Sequence, residues 1–171
     1  MSPPRRGLPI EDQISLLKGS SLEISQIQFN TVFNTESKTW DCGPHCYTIK
    51  DAMLVGFEQH YLEAMLKFHI SLKKLQLHEV EYVLVEAMLL FSPDHAGITQ
   101  RDIVDQFQEK MALTLKSYMD QQHPMPEGRF VYAKLLLLLT ELQTLKVDSL
   151  RQMLHIGDLS SMTPLLSEII S

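Results

Sequence analysis

Cysteine is scarce in this sequence, with 2 in 171 residues. Such a small number cannot form a disulfide framework, and it favours a reducing, intracellular compartment. Glycine and proline are also few, at 7 and 8, which excludes collagen-like and Pro/Gly-rich disordered proteins. Basic residues, 15 in all, are outnumbered by 21 acidic ones. We therefore do not expect this chain to bind nucleic acid by itself, because neutralising phosphates needs a basic surface.

Long apolar runs are missing as well. The longest is the leucine run at residues 135–139, which is far too short to span a bilayer. No signal peptide is visible at the start of the chain, so we expect no membrane partner. The length is that of a single domain.

Apolar residues recur with helical spacing over most of the chain, and leucine outnumbers valine plus isoleucine, which disfavours a large sheet. Gly19-Ser20-Ser21 interrupts the first helical stretch and is a candidate bend. Between the first two stretches, Thr39 to Ile49 has aromatic and β-branched arms around Gly43-Pro44, which is typical of a small hairpin. The sequence predicts an all-α fold with one small β-hairpin and helices at residues 10–33, 51–75, 78–91, 99–121 and 129–156.

The leucine run at 135–139 predicts that more than one face of its helix is covered. Five consecutive leucines point in every direction around a helix, whereas a surface helix needs only one apolar stripe. Either this helix is central and covered on all sides, or its outer face is covered by another chain. The leucine pattern alone favours these two explanations equally.

The last nine residues, Thr163 to Ser171, predict a separate short helix. Thr163 suits an N-cap and Pro164 the first helical position, and the apolar residues fall on one face. A helix this short is not stable alone in water, so it must dock onto the domain, and conditional docking is the basis of a switch. Glu168 lies near its C-terminal end, where it is either a solvated side chain or a cap for the N-terminus of another helix.

Together these features resemble a nuclear receptor ligand-binding domain. Asp12-Gln13 followed by Leu16-Leu17-Lys18 is the most specific part of the resemblance, and the C-terminal segment has the pattern of the family's activation helix. Within the family, the chain is most similar to the pregnane X receptor and constitutive androstane receptor group. Other stretches that carry the resemblance are Leu8 to Gly19, Phe29 to Asn34, Lys73 to Glu79, Leu90 to Asp94, Thr99 to Arg101 and Arg129-Phe130.

The resemblance implies a layered helical sandwich with a buried apolar pocket and a small β-region. It covers residues 8–171 as a partial domain and leaves residues 1–7 as a leader that does not match. Family domains have about three more helices before this point, so we expect the first helices, which form one face of the core, to be lacking.

The resemblance also implies a ligand site. Phe29, Trp40 and Tyr47 match an aromatic trio that cradles ligand, while Gln26 and His69 match polar anchors among apolar walls, as in promiscuous lipophilic sites. The alternative is that residues at this helical spacing simply form a core. At Ser149 the relatives carry an aromatic residue or histidine, which argues against ligand-independent locking of the terminal helix. The full predicted set is Leu22, Ser25, Gln26, Phe29, Trp40, Tyr47, Met65, His69, Ser149 and Met153.

Two protein-binding surfaces are implied next. A coactivator helix would lie in an apolar groove, with Glu168 capping its N-terminal amides and Lys18 meeting its C-terminal carbonyls; Ile14, Leu17 and Leu165 would form the floor. Lys18 can instead be an ordinary last-turn lysine. Family members of this type pair with the retinoid X receptor through the penultimate helix. The resemblance therefore favours a partner surface for part of the run Leu135, Leu136, Leu137, Leu138 and Leu139.

The sequence gives little support to a metal site or to an enzyme active site. Cys42, His45, Cys46 and His60 lack the paired spacing of a structural zinc site, and no phosphate loop, nucleophile elbow or metalloprotease motif occurs. We expect no enzyme and no cofactor in this chain; zinc and DNA contact would belong to a separate DNA-binding domain.

Two functions remain open. One is a ligand-binding, coactivator- and corepressor-recruiting domain of a ligand-regulated transcription factor that senses lipophilic xenobiotics, steroids or bile-acid-like compounds. Such a factor would act in the nucleus, with shuttling to the cytoplasm. The other is a truncated isoform or fragment without a competent pocket, acting only through its dimer or coactivator surfaces.

Overall fold

The computed structural model describes residues 8–92, 95, 97–123 and 127–156, without the side chains of 127–129 and 154–156. The predicted helix at the C-terminus, with Leu165 and Glu168, lies outside these residues. In chain order the elements are α1 (Ile10–Thr31), β1 (Phe33–Asn34), β2 (Thr39–Cys42), β3 (His45–Tyr47), α2 (Ile49–Val55), α3 (Gln59–Lys74), α4 (Glu79–Leu90), α5 (Arg101–Gln122) and α6 (Glu127–Ile156).

The helix predicted at 51–75 is wrong in one respect, because the structure divides it into α2 and α3. Thr48 and Asp51 start α2 with a capping box, in which each residue's side chain accepts a hydrogen bond from the other's backbone N–H. Gly56 ends α2 in the left-handed region at a φ of 120°, a conformation that glycine adopts without steric cost. The chain then turns, and α3 begins at Gln59.

The β-region is larger than the predicted hairpin. β2 and β3 form that hairpin, with Trp40 opposite Tyr47. The two-residue strand β1 adds a third, antiparallel strand, with Phe33 opposite Trp40. Phe33, Trp40 and Tyr47 therefore follow one another across the same face of the sheet.

The candidate bend at Gly19 lies within an unbroken helix, α1. A Cβ atom at Gly19 would come within 2.6 Å of the Cγ of His95. The glycine therefore allows the close approach of the His95 ring, rather than interrupting the helix.

A buried carboxylate ties α1 to the start of α5. Asp12, with no exposed surface, accepts hydrogen bonds from the backbone N–H groups of Thr99 at 3.0 Å and Gln100 at 2.8 Å. The Thr99 hydroxyl donates to both Asp12 oxygens. Burial favours the protonated form, but the backbone and hydroxyl hydrogen bonds outweigh it, so the pKa of Asp12 is lowered. The two amides just before α5 thus find their acceptor on another helix.

The main core lies where α1, α3, α4, α5 and α6 meet. Leu135 and Leu142 of α6, Phe68 and Leu72 of α3 and Leu115 of α5 are each at most 2% exposed within it. Apolar side chains of α3, α4, α5 and α6 are buried here, whereas α1 contributes Ile27 and otherwise buries mostly polar residues.

Candidate functional site

A cavity of about 400 Å³ lies beside the sheet. Its walls come from the C-terminal half of α1, from β2 and β3, from α2 and from α3, and we call it the sheet cavity. It is lined by Gln26, Phe29, Trp40, Tyr47, Thr48, Ile49, Asp51, Ala52, Val55 and Met65. Most of this lining is apolar, with a few polar groups, which is the usual composition of a site for lipophilic molecules.

Half of the predicted ligand residues line this cavity. Gln26 and Phe29 reach it from α1, Trp40 and Tyr47 from the sheet, and Met65 from α3. Trp40 is 6% exposed, whereas Phe29 and Tyr47 are 44% and 49% exposed. The cavity therefore has a closed inner end at Trp40 and an open outer rim.

The other five predicted ligand residues lie elsewhere, and their role in ligand binding stays a prediction. Leu22 and Ser25 are half-buried on α1, one turn before the residues that line the cavity. Ser149 is buried on α6 and is hydrogen-bonded to Tyr61 of α3, and Met153 is half-buried one turn further along.

His69, the fifth of these, lies directly behind the cavity wall. It is 1% exposed, and its Nε2 lies 2.8 Å from the Oε1 of Gln26. Its ring also packs edge-on against Trp40, with centroids 5.2 Å apart. Burial, with a contribution from the nearby Lys73 ammonium, lowers the pKa of His69 to about 4. The imidazole is therefore neutral at physiological pH.

The contribution of α2 to the cavity was missed by the sequence reasoning. Ile49, Ala52 and Val55 recur every three residues and face the cavity from one side of this short helix. None of the α2 residues is buried, so this apolar face is open to a bound molecule. Recognising Gly56 as a helix end would have revealed the separate helix and its spacing.

The predicted coactivator residues within the described part of the chain lie on the first half of α1. Ile14 is 49% and Leu17 is 62% exposed, while Lys18 is half-buried one position further on. Exposed apolar side chains beside a lysine are compatible with the predicted groove floor. The remaining floor residue, Leu165, and the predicted cap, Glu168, lie outside the described residues.

The leucine run of α6 divides into two faces. Leu135, Leu138 and Leu139 are at most 8% exposed and belong to the main core, whereas Leu136 is 40% and Leu137 is 67% exposed. The helix thus uses one part of the run for its own core and presents the other part outward. A partner surface on the outward part of the helix stays a prediction.

The cysteines of the sheet do not form a metal cluster in the described part of the chain. Cys42 lies opposite His45 and Cys46 opposite Asp41, which places the two thiols on opposite faces of the hairpin. Among the described residues, no group of three or more histidine, cysteine, aspartate or glutamate side chains is arranged to hold a metal ion. Nor does any helix in these ranges combine the length and apolarity needed to cross a membrane.

Comparison with known protein families identifies the class of protein to which the chain belongs. Residues 1–159 match the family described as the ligand-binding domain of nuclear hormone receptor. Together with the helical fold and the apolar cavity beside its sheet, this match shows that the chain belongs to the nuclear hormone receptor ligand-binding domains. The predicted family and the prediction that the chain is not an enzyme are confirmed.

Individual curated relatives show which members of the family the chain is similar to. The chain is 54% identical to nuclear receptor subfamily 1 group I member 3 of Pan troglodytes over 99% of its own length and 49% of that protein. It is 52% identical to group I member 2 of Homo sapiens over 96% of its own length and 38% of that protein. The chain therefore spans half or less of the length of these curated relatives.

A solved structure supports the fold. The chain matches the crystal structure of constitutive androstane receptor with a TM-score of 0.77 and 48% identity, over 82% of this chain and 60% of that one. The predicted helical sandwich with a small β-region is therefore confirmed, with the third strand and the division between α2 and α3 as corrections in detail.

Proposed function

We propose that this chain is the ligand-binding and coregulator-recruiting part of a ligand-regulated transcription factor that senses lipophilic xenobiotics, steroids or bile-acid-like compounds. The observation that carries the proposal is the sheet cavity, where residues from α1, the sheet and α3 that are distant in sequence meet around an apolar space. The group I relatives support the same assignment. The whole receptor would act in the nucleus and bind DNA through a separate, zinc-containing domain.

The proposal predicts that filling the sheet cavity from α2 weakens ligand binding. Ala52→Phe adds an aromatic ring to the cavity wall; because Ala52 is half-buried and also packs against the main core, the unfolding midpoint of the variant is measured beside its affinity. We expect the affinity for a neutral steroid to fall about tenfold or more. Trp40 is the only tryptophan of the chain and lies in the cavity wall, so quenching of its fluorescence during a titration reports binding directly.

Leu54→Phe is the matched control for that experiment. Leu54 lies on the same helix but is 87% exposed and does not line the cavity, so this variant should bind like the original chain. Equal, saturable binding by the Ala52→Phe variant would contradict the assignment of the site. A chain that binds no ligand in either form but still pairs with a receptor partner would favour the alternative function, an interaction-only fragment.

The outward face of α6 is proposed to bind the retinoid X receptor. The exposed Leu136 and Leu137 lie on a helix whose opposite side is anchored in the core, so this apolar surface is held rigidly for a partner. Leu137→Asp should weaken the association about tenfold or more, since a charge would be buried without a partner. Sedimentation of mixtures with the retinoid X receptor ligand-binding domain measures this.

Leu54→Asp provides the comparison, because it places the same charge on an exposed leucine of α2, outside the proposed interface. It should leave the association unchanged. Equal effects of the two substitutions would indicate a general loss of solubility or fold, and full binding by Leu137→Asp would reject this interface.

Coactivator and corepressor peptides are the third class of proposed partner. Leu17 and Ile14 would contact the leucines of a short amphipathic helix, and Lys18 would face its C-terminal carbonyls. Glu168 would cap the other end of that helix. The exposure of Ile14 and Leu17 supports this role for α1.

A further inference from the structure

A second cavity, of about 1040 Å³, opens on the other side of α1 from the sheet cavity. Its α1 wall is formed by Gln28 and Thr31, on the face of the helix opposite to that of Gln26 and Phe29. The turn between β1 and β2, the end of α3 and the start of α4 form the other walls. Among the described residues, none lines both cavities. We call this space the lysine cavity, after three of its lining residues, Lys38, Lys73 and Lys74.

Two residues with a left-handed backbone border the lysine cavity. Lys38 has a φ of 59° and Gln76 a φ of 54°, and in the described part of the chain no other residue except glycine has a positive φ. Lys38 closes the turn between β1 and β2, where its N–H donates to the carbonyl of Asn34 at 2.8 Å, and Gln76 follows the end of α3. Glycine is the usual residue at such positions, because a Cβ atom makes this conformation costly. Long polar side chains occupy both positions instead, and both line the same cavity.

The three lysines differ in how they are held. The Nζ of Lys73 donates to the carbonyl oxygens of Asn30 and Thr31, at 3.0 and 3.2 Å, at the end of α1. Lys38 and Lys74 are exposed, and no ion pair joins either of them to another of the described residues. Ammonium groups that border one cavity repel each other unless an anion lies between them. The lysine cavity therefore carries two uncompensated positive charges in its walls.

The rest of the lining determines what kind of anion fits. The apolar part of the lining includes Ile70, Leu77 and Val83. Two carboxylates, of Glu79 and Glu86, lie on the α4 wall, and Glu86 accepts a hydrogen bond from the Nε2 of Gln28 at 3.0 Å. Because they repel an anion from α4, a bound anion should lie toward the β1–β2 turn and the end of α3. A molecule with an apolar body and one anionic group satisfies both parts of the cavity.

We propose that the lysine cavity is a second ligand site of this chain, which binds small amphipathic anions such as aromatic carboxylates, with the anionic group at Lys38 and Lys74. The inference goes beyond the proposed function, which assigns ligand binding to the sheet cavity alone. A cavity of this volume can hold a drug-sized molecule. The proposal also accounts for the strained backbone at Lys38 and Gln76, since glycine would supply neither a charge nor a hydrogen bond to the ligand.

Two probes with the same ring system separate the effect of charge from that of apolar contact. 2-Naphthoate carries a carboxylate, and 2-naphthamide replaces it with a neutral amide of similar size. Each is titrated into the full, ¹⁵N-labelled chain while the backbone ¹H–¹⁵N signals are followed. The naphthoate should shift the amides of Gln76 and Val83 and bind about fivefold more tightly than the naphthamide. Equal affinities, or shifts confined to Ala52 and Val55 of the sheet cavity, would overturn the inference.

Removing charges tests where the anion lies. Lys38→Gln combined with Lys74→Gln takes away both uncompensated ammonium groups, so the affinity for 2-naphthoate should fall about tenfold while that for 2-naphthamide stays the same. Lys67→Gln is the matched control, because Lys67 is exposed on the same helix as Lys74 but does not line the cavity. It should bind both probes like the original chain. An equal loss in this control would indicate a general attraction of anions to α3 and would contradict the site.

Glycine substitutions separate ligand binding from the stability of the turn. Because glycine adopts the left-handed conformation without strain, Lys38→Gly should raise the urea midpoint of unfolding. The same variant should bind 2-naphthoate about threefold more weakly, since it lacks one of the two charges. Gln76→Gly should also raise the midpoint and weaken binding. Affinities that stay unchanged in both variants would show that the strained residues do not serve a ligand and would count against the inference.

Discussion

Leu135→Ala is expected to lower the free energy of unfolding by about 3 kcal/mol. Leu135 has no exposed surface and lies in the main core. Truncation removes buried methyl groups and leaves a cavity that a helix packed on several sides can fill only in part. Urea denaturation measured by circular dichroism, with the midpoint and slope compared between variants, provides the value.

Leu137→Ala, two positions later in the same leucine run, is the matched control. This residue is 67% exposed, so the same chemical change should alter stability by only a few tenths of a kcal/mol. In the proposed association with the retinoid X receptor we expect the reverse order, with a direct effect of Leu137 and only an indirect effect of Leu135 through the fold. Equal losses of stability would mean that the run does not divide into a core face and an outward face.

Acidification is expected to remove about 3 kcal/mol of stability between pH 6.5 and pH 4 through His69 alone. Burial first, and then the Lys73 ammonium, lower the pKa of this ring from 6.5 to about 4. Between the two values the unfolded chain binds a proton that the folded chain does not. The free energy of unfolding therefore decreases as the pH falls through this window. Above pH 6.5 the ring is neutral in both states, and none of this stability is lost.

A pH series of urea denaturations on the original chain and on His69→Gln measures this contribution. The variant lacks the titrating ring, so its stability should vary less steeply between pH 4 and pH 6.5, whatever its absolute stability. Taking the difference between the two curves removes other groups, including Glu23, whose pKa is raised by burial and which acts in the opposite direction. Parallel curves would show that His69 is accessible to protons in the folded chain.

Periodicity was enough to predict the large helices, although the buried face of α1 is mostly polar, at Asp12, Ser20, Glu23 and Asn30. It was not enough for α2. Gly56 lies within a run of apolar residues that continues the helical spacing, and only its left-handed backbone conformation separates α2 from α3. The strand β1 has two residues, too few for any alternation to be visible in the sequence.

Residues of the candidate site that lie on a single helix could be predicted from the sequence. Contacts within the site that depend on several helices were harder to predict. Gln26 and Phe29 lie one turn apart on α1, and the spacing of a helix places them together. The role of His69 behind Gln26, however, depends on the tertiary contact between α1 and α3, which no local pattern encodes. For the leucine run, the pattern indicated that more than one face of α6 is apolar. Which leucines face the core depends on how the neighbouring helices pack against α6.

The bond between Asp12 and the start of α5 has a consequence for the order of folding. Its two ends are separated by 87 residues in the chain, so α5 acquires its native beginning only after a long loop has closed. Contacts of such range form slowly compared with local helix growth. We therefore expect the amides of Thr99 and Gln100, just before α5, to become protected from hydrogen exchange only when α1 has docked.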